Sequence, residues 1–260
     1  MRIWRRSVWS RRVERVLSAG RRAFLAGGLG CLAGATASRG QSNPPLLSFA
    51  YGRQFSSAER KALEAWSSVL TRLADGWWRT ITTRLASPGF VPVDQITIEF
   101  NDIKIKGAPA LTHDSVIEVD ARGLLARLRD PDALAMIAHE MVHVVQRYPH
   151  AAGWLVEGIA DYMRYYVLIP DDPGRAFRPD GATWHDGYQA SAGFLDWVEQ
   201  GHLGTITRLN AALRAGEDGQ ALLRETLGQT LQQAWAAYID RKPYATSTEA
   251  WRRRATAPRG

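Results

Sequence analysis

Two histidines four residues apart, His139 and His143, with Glu140 beside the first, lie in the run AMIAHEMVHVVQRYPHAAGWLVEGIADYMRYY, residues 135–166. At about 100° per residue, a spacing of four brings the two imidazoles to within about 40° of each other on a helical wheel. They also lie about 6 Å apart along the axis, so both rings can bend toward one point in front of the helix. Gln146 and Asp132 share that stripe, while Leu134, Ile137, Met141, Val144 and Tyr148 crowd the opposite side. Neutral imidazole nitrogens at this separation suit Zn2+, which in a catalytic site takes three protein ligands and leaves a fourth position for water. In an H-E-x-x-H helix the glutamate reaches that water and accepts its proton, so Glu140 is the candidate general base.

A second pair follows a short turn. Pro149 prevents the histidine helix from continuing, and PHAAG turns the chain back antiparallel to it. Glu157 and Asp161 then fall on one face of the next helix, among Trp154, Leu155, Val156, Ile159, Ala160, Tyr162 and Met163. Unpaired carboxylates are costly in such apolar surroundings. Glu157 is therefore the candidate third metal ligand. Asp161, one turn on, is the candidate acceptor for the spare ring N–H of a metal-bound histidine, fixing its tautomer. His150 is the rival third ligand. It comes seven residues after His143, whereas the metzincin pattern has its third histidine at six with a glycine between, and here Gln146 takes the glycine's place. Gln146 is read as ordering the turn below the site.

The elements that must position these residues follow from periodicity. SSAERKALEAWSSVLTRLADGWWRTITTRLASPG predicts a long helix from Ser57 to the Pro88-Gly89 stop, broken near Gly76. DQITIEF and SVIEVD alternate as half-buried strands, and ARGLLARLRD is a short helix. Helices are predicted over 131–148 and 153–168, then a loop rich in Asp, Pro and Gly over 170–187. Four more helical stretches follow: YQASAGFLDWVEQG, TITRLNAALRAG, ALLRETLG and TLQQAWAAYIDRK. A few strands before a helical remainder predict an α+β fold, predominantly helical, with a small sheet preceding the HExxH helix.

The first 37 residues read as a removable leader. Arg21-Arg22-Ala23-Phe24-Leu25 matches a twin-arginine pattern, and Ala35-Thr36-Ala37 offers a small-residue cleavage site. The apolar run between them is glycine-rich and shorter than the roughly 20 residues that span a bilayer. The alternative is a lipid anchor on Cys31, for which Gly28-Leu29-Gly30 is a poor preceding sequence. Export to the periplasm or the extracellular space is the expectation, with no stable membrane insertion after cleavage. The leader holds eight arginines and one acid, Glu14, which leaves 25 basic and 25 acidic residues in the remainder. The basic pI thus belongs to the leader, and the mature chain gives no reason to expect nucleic acid as a partner. Its one cysteine, Cys31, is also in the leader, so a core or a metal must hold the fold. Residues 38–50 are read as a linker, 51–245 as one domain and expected to be monomeric, and 246–260 as a basic C-terminal tail.

HEMVHVVQ followed by GWLVEGIADYMR, GYQASAGFLDWV and GQTLQQAWAAYI resembles the plant basic secretory protein family and its bacterial relatives. The resemblance spans roughly residues 50–245 and implies a zincin-like fold and zinc-dependent hydrolysis of peptide bonds. It implies His139 and His143 as ligands, Glu140 as base and Glu157 as third ligand. It also makes Tyr188, in WHDGYQAS, the candidate oxyanion stabiliser, since a phenol can donate to developing negative charge. A core or helix-capping tyrosine is the structural alternative, and His185 is the other candidate. Two non-enzymatic readings stand beside this one. An envelope binding module could keep the fold without turnover, although a structural site needs no base such as Glu140. The ten tryptophans invite a carbohydrate-binding reading, yet Trp66, Trp77, Trp154, Trp197 and Trp235 sit in helical patterns, leaving Trp184 in a loop.

Overall fold

The computed structural model describes residues 46–102, 108–172, 175 and 181–241. The leader with Cys31, most of the linker and the basic tail lie outside the described residues. Four strands form one sheet in the order β1 (Leu47–Tyr51), β2 (Ile96–Asn101), β4 (Val116–Asp120), β3 (Ala110–His113). β1, β2 and β4 run parallel, and β3 closes one edge antiparallel to β4. The parallel pairing of β1 with β2 needs a crossover, which is supplied by the long helix α1 (Ser57–Arg84).

α1 opens on a capping box, in which Ser56 accepts from the Glu59 amide and Glu59 accepts from the Ser56 amide. Its inner face buries Leu63, Trp66, Leu70, Ala74, Trp77 and Ile81 in the same core as the sheet's Ile96, Ile98 and Phe100. Trp66 meets Phe100 edge-on at 5.9 Å between ring centroids. The break expected near Gly76 does not occur. Gly76 is exposed, and the buried Ala74, Trp77 and Ile81 around it hold the helix at more than the roughly 1 kcal/mol a glycine costs there.

Two strands depart from the sequence reading. β1 occupies the end of the segment read as a linker, because LSFAY is too short to declare itself until Leu47 to Tyr51 pair in register with Ile96 to Phe100. β3 (ALTH) has no apolar alternation of its own. It is made by pairing with β4 across a tight turn at Asp114, whose φ of 52° is in the left-handed region that aspartate tolerates.

After α2 (Ala121–Leu125) comes the histidine helix α3 (Pro131–Gln146), with Asp130 as its N-cap and Pro131 in its first turn. α3 ends at Arg147 in the left-handed region, and α4 (Gly153–Tyr162) returns beside it. The single helix expected over 153–168 is α-helical only to Tyr162. Met163–Leu168 widens into a π-helical turn, where the Ile169 amide reaches back five residues to the Arg164 carbonyl at 2.9 Å. α5 (Tyr188–Gly201), α6 (Thr205–Arg214), α7 (Gly219–Leu227) and α8 (Leu231–Asp240) complete the predominantly helical α+β fold. α4 and α5 approach so closely that a Cβ on Gly158 would stand 2.6 Å from the Cβ of Ser191. No helix among the described residues is long and apolar enough to cross a membrane.

Two polar devices lock the helical layer. The buried Glu199 accepts from the Gly204 and Ile206 amides, both at 2.9 Å, and so caps α6. Arg214 donates to the Leu85 carbonyl beyond α1 and, at 2.8 Å, to the Val145 carbonyl in the last turn of α3. Its guanidinium also lies 3.9 Å from the Phe90 ring centroid. One side chain thus satisfies carbonyls at the ends of both helices. Arg214→Ala is expected to lower unfolding stability by roughly 2–4 kcal/mol, read from urea denaturation. A loss below roughly 0.5 kcal/mol would mean that the histidine helix is held without it.

Candidate metal centre

α3 carries His139, Glu140, His143 and Gln146, and α4 carries Glu157 and Asp161, so six polar residues from two adjacent helices share one interface. The cross-links run in antiparallel order. Gln146 Nε2 donates to the Val156 carbonyl at 2.8 Å, His143 Nε2 lies 3.6 Å from Glu157 Oε2, and His139 Nδ1 lies 2.7 Å from Asp161 Oδ1. At the far end the buried Arg164 pairs with Asp132 in the first turn of α3.

Hydrogen-bond partners decide the tautomers. Asp161 as a carboxylate can only accept, so His139 Nδ1 carries a proton toward it. Gln146 uses its NH2 on Val156 and turns Oε1 to His143 Nδ1 at 2.7 Å, so that nitrogen is protonated as well. When neutral, each ring is therefore left with a bare lone pair on Nε2. These two nitrogens stand 3.0 Å apart, and Glu157 Oε2 completes a triangle at 3.2 Å from His139 Nε2 and 3.6 Å from His143 Nε2. Three lone pairs facing one another repel unless a cation lies between them. Ligands bound tetrahedrally at about 2.0–2.1 Å stand about 3.3–3.4 Å from each other, so the triangle fits a small divalent ion.

In the metal-free chain a proton takes the cation's place. Burial opposes charge on His139, but its hydrogen bonds to Asp161 and Glu157, with the charges of Asp161 and Glu140, push its pKa up to about 9. Burial likewise opposes ionisation of Glu157, yet His139 and His143 hold its carboxyl at about 2.

Glu140 stands beside the triangle, since His139, Glu140 and His143 offer ligand atoms within 4.8 Å of one another. Its carboxylate accepts the Thr112 hydroxyl at 2.7 Å, whereas the Glu157 carboxylate faces the histidine Nε2 atoms directly. Glu157 is thus the better third donor, and Glu140 remains beside the pair. Thr112 comes from the edge strand β3, and the sequence reading missed it because that strand was missed.

The centre lies in an open cleft of about 970 Å³, bounded by β3 residues, the 146–151 turn, Arg164, Tyr165, Tyr188 and Gln189. The Tyr188 ring lies nearly parallel to that of His139, 15° apart with centroids 6.2 Å apart. Gly187 and Tyr188 both have positive φ, 81° and 46°, and the buried Ser191 pins their turn by accepting from the Gly187 amide and donating to the Trp184 carbonyl. His150 is exposed on the rim and is not in the cluster of potential ligands. His185 is exposed, packs edge-on against Trp184 at 4.8 Å and does not line the cleft. Trp184 itself is half-buried against the core.

Two outcomes test the centre. Asp161→Ala and Gln146→Ala are each expected to weaken Zn2+ binding roughly 10–100-fold, measured by competition with a chromophoric chelator; unchanged affinity would remove the orienting role. Because pH 7 lies below the raised pKa of His139, binding there is expected to release roughly one proton per chain. Calorimetry in buffers of different ionisation enthalpy measures this, and no net release would contradict the protonated metal-free state.

No curated protein and no solved structure matches the chain significantly. A family does match, over residues 50–238, from the last residues of β1 to Tyr238 in α8, and so takes in the HExxH helix, the carboxylates of α4 and the Tyr188 turn. The histidine pair, the adjoining glutamate and the span of this match agree with one another: the chain belongs to the BSP family, the peptidases of plants and bacteria.

Proposed function

We propose that the chain is a zinc-dependent peptidase with a zincin-like arrangement, in which His139, His143 and Glu157 hold the ion. The observation that carries this is the triangle of Nε2, Nε2 and carboxylate oxygen with Glu140 beside it in an open cleft. Zn2+, when bound, polarises the scissile carbonyl and makes water acidic enough to attack near neutral pH. Glu140 takes the proton of the attacking water and passes it to the leaving amine, and the Thr112 hydroxyl keeps its carboxylate in place. Asp161 and Gln146 hold the two rings in the one tautomer that leaves Nε2 free. Tyr188, half-exposed over the His139 ring, donates its hydroxyl to the oxygen on which negative charge develops.

The edge strand supplies a track for the polypeptide. The Asp120 amide donates to the Pro109 carbonyl at 3.0 Å, so in this antiparallel register Leu111 and His113 also turn their backbone groups to β4. The N–H and C=O groups of Thr112, whose side chain holds Glu140, then turn away from β4, while Ala110 on the same side is buried. The twin-arginine leader at residues 1–37 supports a place of action outside the cytoplasm.

Metal analysis of the purified protein, alongside Glu140→Gln, tests the proposal. About one zinc per chain is expected in both forms. Hydrolysis of an unfolded protein is expected in the parent and to fall at least roughly 100-fold in the variant. Hydrolysis that survives the substitution would remove Glu140 as the base.

A further inference from the structure

Beyond the His139–Asp161 pair the cleft is lined by Tyr165 and Gln189. Tyr165 lies four residues after Asp161 in the π-helical turn and is only 5 % exposed. Gln189 directly follows Tyr188, whose ring covers His139. The two side chains meet, with Gln189 Nε2 donating to the Tyr165 hydroxyl oxygen at 3.2 Å. That bond occupies a lone pair on the phenol and leaves its proton uncommitted. No acceptor among the described residues takes the proton, and none of them donates to the Gln189 amide oxygen. Turning the amide over exchanges the roles but still leaves at least one donor and one acceptor of the pair free. A buried phenol without an acceptor is uncommon, and such groups are met by solvent or by a ligand.

The rest of the environment keeps the donor in place. Burial pushes the Tyr165 pKa well above its ordinary value, and the nearby Arg164 only partly offsets this, so the hydroxyl stays protonated. The Arg164 guanidinium stacks 4.5 Å from the Tyr165 ring centroid while pairing with Asp132 and Asp172, which fixes the ring. A secondary amide is complementary to what remains, since its C=O accepts from the phenol and its N–H donates to the glutamine oxygen.

We propose that Tyr165 and Gln189 form a substrate-binding subsite that grips one backbone peptide group of an extended polypeptide, on the Asp161 side of the centre. It recognises the main chain rather than a side chain, and it rests on the peptidase reading above.

The test uses fluorescein-labelled casein as an unfolded probe. Binding is read by anisotropy on metal-loaded Glu140→Gln protein and on the same protein carrying Tyr165→Phe, which keeps the ring and its stacking. The second change is expected to raise Kd about tenfold, the loss of one well-placed hydrogen bond, at unchanged zinc content and melting temperature. Gln189→Met in the same background is expected to raise it several-fold and provides the test should Tyr165→Phe not fold. Affinities within twofold of the parent in a folded variant overturn the subsite, as does failure of casein to bind at all. Hydrolysis by the wild-type chain is measured in parallel. Cleavage with unchanged Kd sinks the subsite and spares the peptidase reading, whereas weakened binding with no cleavage by the wild type does the reverse.

Discussion

The arrangement of α3 and α4 depends on three acceptor atoms that have no reason to meet except around positive charge. The Nδ1 protons of both histidines are committed, one to Asp161 and the other to Gln146. Their Nε2 lone pairs therefore face each other and the Glu157 carboxylate. A buried cluster of this kind is costly when bare and favourable when filled. The same polar links run the length of the helix pair, from Gln146 and Val156 at one end to Asp132 and Arg164 at the other. Helix packing and ligand geometry are thus one set of constraints, and a shift of one helix along the other by a single turn would break every rung.

The rest of the fold holds that pair in position. The sheet lies against α1 on one side and sends β3 to the edge of the cleft, where Thr112 steadies Glu140. Arg214 ties the C-terminal end of α3 to the end of α1, and the contact at Gly158 lets α5 approach α4 closely enough for Gly187 to lie against Glu157. A side chain at position 158 would move α5 away, and with it Ser191 and the turn that carries Tyr188 over His139.

Much of the candidate cluster is legible in the sequence because it is written in helical spacing. His139 with His143, and Glu157 with Asp161, are each four apart, and a spacing of four states which side chains share a face without reference to the rest of the fold. Gln146 was visible on the same stripe, but its role required the neighbouring helix, since the bond that turns its oxygen to His143 is made to Val156. Thr112 could not be found, because β3 has no pattern of its own and exists through its pairing with β4. β1 escapes for the same reason, since only its register with β2 sets it apart from linker. The π-helical turn lies within a sequence that reads as ordinary helix, so the setting of Arg164 and Tyr165 had to come from the structure.

The candidate ligands and their orienting partners lie between His139 and Asp161, within two helices and the turn between them. Few residues separate the members of this set, so bringing them together closes only a short loop, and the entropy of closure is correspondingly small. The C-terminal helices contribute walls and locks but no donor atoms to the triangle. The candidate site thus belongs to one pair of consecutive helices, and its contacts are shorter in range than those that dock α5 to α8 onto it.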